Sequence, residues 1–236
     1  MTGKVALVTG GSRGIGLATA WALALRGASV AITGTAEDTL AAACRDLERE
    51  APGRVLALRA DVRSVPDMTA AFEAVTSRFG GLDALINNAG VGLFRAVGEM
   101  TDEEWRRLFD TNVTGVFNAT RAALPHLRAR GGGWIINVSS LSATAPFANG
   151  AAYCATKAAV DAFTEALMQE LRHDGIRVAS VAPGSVDTTF GGGRDKSSWA
   201  LQPGDVAQVI VDLMGHAGRS LPSRVEVRPS QPPKRG

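Results

Sequence analysis

The chain of 236 residues is 45% hydrophobic and 20% charged, a balance that excludes a disordered polymer and leaves enough apolar material for a large core. Its formal charge of +2 arises from 25 basic and 23 acidic residues scattered along the chain, which argues against nucleic acid or a membrane surface as the partner. Two cysteines without paired spacing, Cys44 and Cys154, suit a reducing compartment. Strand-like residues begin at Lys4 and no apolar run reaches membrane-spanning length, so a cytoplasmic protein without a signal peptide is expected.

Taken in chain order, seven short β-branched runs, KVALVT, ASVAIT, RVLALR, LDALIN, GWIINVS, IRVASV and RVEVR, are separated by longer segments with helical spacing of Ala, Leu and Phe. This alternation predicts a single α/β domain over residues 1–236: a Rossmann-type, doubly wound parallel sheet of about seven strands, flanked by helices on both faces. Helix-start signals fall at Ser64 before Pro66 and Asp67, and at Thr101 with Glu104 as a capping box. The stretch of about 189–202 follows the sixth strand, where α/β sheets bind ligands, and is the expected substrate loop. The basic cluster PPKRG lies in an expected solvated tail of about 229–236.

The first chemical motif is TGGSRGIG, Thr9 to Gly16, between the first strand and the first helix. Glycines allow a tight turn and close approach to a pyrophosphate, whose charge the helix N-terminus attracts. At the end of the second strand, Gly34 and Thr35 stand where an acid would bond an adenosine ribose and repel a 2′-phosphate. Arg13 supplies a planar cation suited to that phosphate, so NADP(H) is favoured over NAD(H). The competing possibility is that Arg13 is solvated and that Glu37 or Asp38 reaches back to the ribose.

Tyr153 is the only tyrosine, and Lys157 is one of four lysines. Four residues apart on a helix, they share a face. An ammonium beside a phenol is expected to lower the phenol's pKa from about 10, making a tuned acid/base. Ser140, closing the fifth strand, has a hydroxyl that can donate to an oxygen on which charge develops. Strand alternation sends Ser139 to the other side, and Ser142 is a less favoured substitute. His126, His173 and His216 are isolated, without a metal-ligand cluster.

From about Lys4 to Thr189 the chain carries TGGSRGIG, NNAG, Asn112, Ser140, YCATK and PGSVDTT in this order, and so resembles the short-chain dehydrogenase/reductase family, with the cofactor half similar to 3-oxoacyl-thioester reductases. The resemblance implies an enzyme that interconverts a carbonyl and a secondary alcohol, with Tyr153 as the proton carrier, Lys157 lowering its pKa and bonding the nicotinamide ribose, and Ser140 positioning the carbonyl. It also implies that Asn112 anchors a water relay toward the lysine. For the cofactor it implies contacts from Gly10, Ser12, Arg13, Gly14, Ile15 and Gly16; from Thr35; from Asp61 and Val62 at the adenine; and from Asn88, Ala89 and Gly90 near the ribose. Tyr153 and Lys157 join these, with Pro183, Gly184, Val186 and Thr188 near the carboxamide.

The small-residue face Ala155, Ala158, Ala159, Ala162, Phe163, Ala166 and Leu167 is matched in relatives by a helix that pairs in homodimers and homotetramers. Pocket candidates by position are Leu93, Phe147, Phe190 and Trp199, implying a mostly apolar small-molecule substrate. A 3-oxoacyl thioester and a small hydroxy acid or ketone both remain open, because the end RVEVRPSQPPKRG lacks the reductases' glycine-rich closing segment. The alternative class is a non-catalytic dinucleotide sensor or scaffold of the same fold, which commonly lacks the tyrosine or the lysine.

Overall fold

In the computed structural model, which describes residues 1–192 and 198–232, all seven expected strands form one parallel sheet. They are β1 (Val5–Val8), β2 (Ser29–Gly34), β3 (Val55–Arg59), β4 (Ala84–Asn87), β5 (Gly133–Val138), β6 (Ile176–Pro183) and β7 (Arg224–Val227), in the order β3-β2-β1-β4-β5-β6-β7. The order reverses between β1 and β4. Such a switch point opens a crevice at the strands' carboxyl ends.

Alternation along each strand builds two cores. Ala6, Val8, Val30 and Ile32 face α1 (Gly14–Leu25), α2 (Glu37–Glu50) and α7 (Pro203–Met214), where Leu23, Leu47 and Ile210 are fully buried. Val5, Leu7, Leu85 and Ile135 face α3 (Val65–Phe79), α5 (Gly115–Ala129) and α6 (Ala151–Leu171), against Phe72, Leu127 and Leu171. Leu167 belongs to this second core, so the small-residue face of α6 expected to be open is made by Ala155, Ala158, Ala162 and Ala166 instead. Both cores lie in continuous apolar strands, as a sheet covered on both faces requires.

The expected caps form. Asp67 N–H donates to Ser64 Oγ before α3, and the capping box of α4 (Asp102–Phe109) joins Thr101 and Glu104 in both directions. Between α4 and α5 the chain makes one π-helical turn, Asp110–Thr114, which contains Asn112. Of the expected substrate loop, 193–197 lie outside the described residues, as do 233–236 of the basic tail. No helix among the described residues is long and apolar enough to cross a membrane.

Candidate active site

The crevice is built by fastening two loops together. Thr9, ending β1, accepts bonds at its hydroxyl from the backbone N–H groups of Asn88 and Ala89, both at 3.0 Å. Asn88 Nδ2 returns bonds to the carbonyls of Thr9 and Gly10. Gly10 (φ 62°) and Gly16 must both lack side chains: a Cβ on Gly10 would lie 2.9 Å from Ala89 Cα, and one on Gly16 would collide with the Gly10 carbonyl oxygen. Gly14 faces Thr188, and Ile15 and Ser12 are half-buried beside it.

The first turn of α1 contains no acidic residue and its N-cap, Arg13, makes no capping bond, so its N-terminal N–H groups are left for an anion. Arg13 is exposed and forms no ion pair among the described residues. A Cβ on Gly34 would sit 3.3 Å from Ser12 Oγ, so a side chain there would face the glycine loop directly. Thr35 is exposed beside it, while Glu37 and Asp38 open α2. The uncapped N–H groups of α1 and the exposed Arg13 guanidinium suit an anionic group such as a dinucleotide's phosphates.

Around it the other expected contacts assemble. The carboxyl of Asp61 is held below its usual range by Arg63, which bonds it at 2.5 Å, and its N–H donates to Asp67. Val62 is buried under Gly115. Gly90 packs on Asn112. Pro183 ends β6; Gly184 N–H donates to Val227 O, and Val186 makes an isolated bridge to Leu201.

Four side chains converge where β4 and β5 end. Asn112, fully buried in the π turn, accepts from Val91 N–H and donates to Val91 O and to Thr156 Oγ1, tying the post-β4 loop to α6. These bonds occupy its side chain, which therefore acts as a clamp here. Ser140 and Ser139 diverge as strand alternation requires: Ser139 bonds the Lys157 carbonyl, whereas Ser140 turns to Ser142 and to the Tyr153 phenol. Lys157 Nζ donates to Val138 O at 2.9 Å and lies 5.9 Å from the centre of the Tyr153 ring.

The electrostatics correct one expectation. Burial pushes the Tyr153 phenol up to about 12, against a downward pull from the Ser140 hydrogen bond, so the free protein's phenol is less acidic than normal. Burial also drives the Lys157 ammonium down to about 8, opposed by Asp161 one turn further along α6. In the free protein burial is the largest influence on each group, and both are pressed toward neutrality.

Three rings close the site. Phe94 stands perpendicular to Tyr153 with centroids 5.3 Å apart, Phe147 packs on Phe94 at 5.4 Å, and Phe190 lies 5.9 Å from Tyr153. Leu93 packs in the apolar cluster of Tyr153, Leu108 and Ala152, and Phe94, which the sequence reading does not single out, stands directly against the Tyr153 ring. Trp199 forms no ring pair with the described aromatic residues. Two further hydroxyls, that of Thr9 and that of Thr156, bonded to Tyr153 O, are not singled out by the sequence reading, although each stands within a quoted motif.

A parallel sheet with a glycine-rich crevice at its switch point, lined by a buried Ser, Tyr and Lys, defines a dinucleotide-dependent oxidoreductase. The sequence profile of the short chain dehydrogenase family matches residues 4–198, and the chain belongs to that family. It is 40% identical over 188 residues to the 3-oxoacyl-[acyl-carrier-protein] reductase FabG of Vibrio cholerae, covering 80% of this chain and 75% of that one. An alcohol dehydrogenase from the archaeon Thermococcus sibiricus, complexed with 5-hydroxy-NADP, superimposes with a TM-score of 0.90 at 30% identity, covering 98% and 99% of the two chains. A single-residue variant of the actinorhodin polyketide ketoreductase with NADPH gives 0.89 at 33%, covering 96% of each.

The buried ammonium carries a stability signature. Its folded pKa, about 8, lies below the unfolded value of 10.5, so between those values the unfolded chain binds more protons and this group adds stability as pH rises. Below pH 8 its full penalty applies. Lys157→Met is therefore expected to equal or exceed the wild type in urea-melt stability at pH 7, with its advantage shrinking from pH 8 to 10.5 while turnover is lost; an advantage that grows with pH would contradict the buried-ammonium assignment.

Proposed function

We propose that the chain is an NADP(H)-dependent oxidoreductase that interconverts a carbonyl compound and a secondary alcohol, with Tyr153 transferring the proton. The reading rests above all on one observation: a buried phenol beside the Ser140 hydroxyl, one helical turn from a buried lysine, at the crevice mouth. The bound dinucleotide supplies the hydride. Ser140 orients the substrate oxygen, and Tyr153, which keeps its proton at neutral pH, donates it to the developing alkoxide, a stronger base than a phenolate. The protonated phenol is the form that the reduction step uses, and the phenolate is the form that the oxidation step uses. Lys157 bonds the nicotinamide ribose and returns a proton to the phenol, with Asn112 holding the relay loop in register. Two of the similar proteins are named as reductases of a 3-oxoacyl group and of a polyketide, which supports a ketone as substrate.

The preference for NADP(H) is supported by Gly34, Thr35 and the exposed Arg13, and by the NADP-type cofactors in the similar structures. Assembly into a homodimer or homotetramer is supported by exposed Ala155, Ala158, Ala162 and Ala166, next to an apolar depression lined by Val113, Phe117, Val160 and Phe163. A cytoplasmic location fits the two free cysteines.

Tyr153→Phe is expected to lower kcat for NADPH-dependent ketone reduction by at least a thousandfold while NADPH titration by fluorescence still shows binding; retained turnover would remove the phenol from the mechanism. Gly34→Asp is expected to shift the NADPH:NADH ratio of kcat/KM at least tenfold toward NADH, and an unchanged ratio would count against the phosphate pocket. Static light scattering is expected to give twice or four times the chain mass, and a monomer at micromolar concentration would dispose of the oligomer.

A further inference from the structure

Phe94, Phe147 and Phe190 come from the loops after β4, β5 and β6, three successive carboxyl ends, yet Phe94 and Phe190 both pack on the Tyr153 ring and Phe147 packs on Phe94. Each is a large apolar side chain left more than 40% exposed, at 43%, 44% and 41%. Clustered phenyl rings left open to water at the mouth of a site mark a binding surface.

The rings are held in place by missing side chains. A Cβ on Gly92 would come within 2.5 Å of a Phe190 ring carbon, one on Gly191 within 2.5 Å of Phe94, and one on Gly150 within 2.5 Å of Phe147. Phe94 and Phe190 thus sit reciprocally on each other's loops. The backbone at Gly92 and Gly150 lies outside the left-handed region, so there only the neighbouring ring demands glycine. Arg95, next to Phe94, is engaged by Glu104 at 3.1 Å, which leaves the phenyl as that wall's contribution.

The geometry points to an aromatic ketone as the substrate class: a carbonyl borne on or beside a planar ring that lodges among Phe94, Phe147 and Phe190, with its oxygen toward Tyr153 and Ser140. The walls are set edge to face, at 87° between Phe94 and Tyr153 and 65° between Phe94 and Phe147. An entering ring extends this pattern and gains quadrupolar attraction beyond the area it buries, whereas an alkyl group of equal size gains the area alone. This assignment rests on the carbonyl-reductase reading and deepens it.

The test compares acetophenone with cyclohexyl methyl ketone, which share a carbon skeleton, in NADPH oxidation. The quantity read is the ratio of their kcat/KM values in the wild type against Phe94→Leu, Phe190→Leu and Gly92→Ala; comparing ratios cancels the ketones' intrinsic reactivities. Each leucine variant is expected to lower the aryl:cyclohexyl ratio about fivefold. Gly92→Ala, which displaces the Phe190 ring without deleting it, should lower the ratio in the same direction, and thermal melts establish that each variant is folded. A ratio within twofold of the wild type in all three variants, or reduction of other carbonyl compounds but of neither ketone, overturns the aromatic assignment and leaves the carbonyl-reductase reading standing. Absence of NADPH or NADH oxidation with every carbonyl compound overturns that reading and this assignment with it.

Discussion

Lys157 is taken out of water beneath Tyr153 and given a hydrogen bond to the Val138 carbonyl. That bond joins the middle of α6 to the end of β5, and the geometry of the site follows from it. It fixes the rotation of α6, which sets Tyr153 over the crevice, and it requires β5 to end where Ser140 can reach the phenol. A charged group in such a place destabilises the fold and is retained only where its position serves something other than stability. The same burial that depresses the ammonium also raises the phenol, so desolvation presses both toward their neutral forms.

Polar side chains do the joining elsewhere as well. Asn87 donates to Asn137 and Thr120, and Asn137 donates to Thr164, so a file of buried amides and hydroxyls runs from β4 across β5 into α6. With Thr9 bridging β1 to the loop after β4, and Asn112 bridging that loop to α6, the parts of the site are locked to one another through bonds shielded from water. Such networks fix relative position more narrowly than apolar packing, which tolerates sliding.

Much of this is legible in the sequence because the information is local. Seven β-branched runs with helical spacers between them specify the sheet, and the glycine loop, Ser140 and the Tyr153–Lys157 spacing each lie within one element or turn. What escapes a reading of the sequence depends on contacts between distant segments. The sign of the phenol's shift turns on burial by Phe94, Leu108 and Phe190, which no spacing near residue 153 encodes. Phe94 is passed over beside Leu93 in such a reading because loop residues have no period to say that both pack with Tyr153. Leu167 falls on the expected open face of α6 because its small neighbours mask the boundary between the covered and uncovered stripes. The clamp role of Asn112 needs knowledge of Val91 and Thr156 together.

The bridge between Val186 and Leu201, reinforced by bonds from Asp187 N–H to Leu201 O and from Leu201 N–H to Ser185 O, ties off the chain on either side of Phe190 and Trp199. These bonds hold the end of β6 and the approach to α7 at a fixed separation through the backbone, whatever side chains stand between, and lengthening a stretch tethered in this way costs little chain entropy.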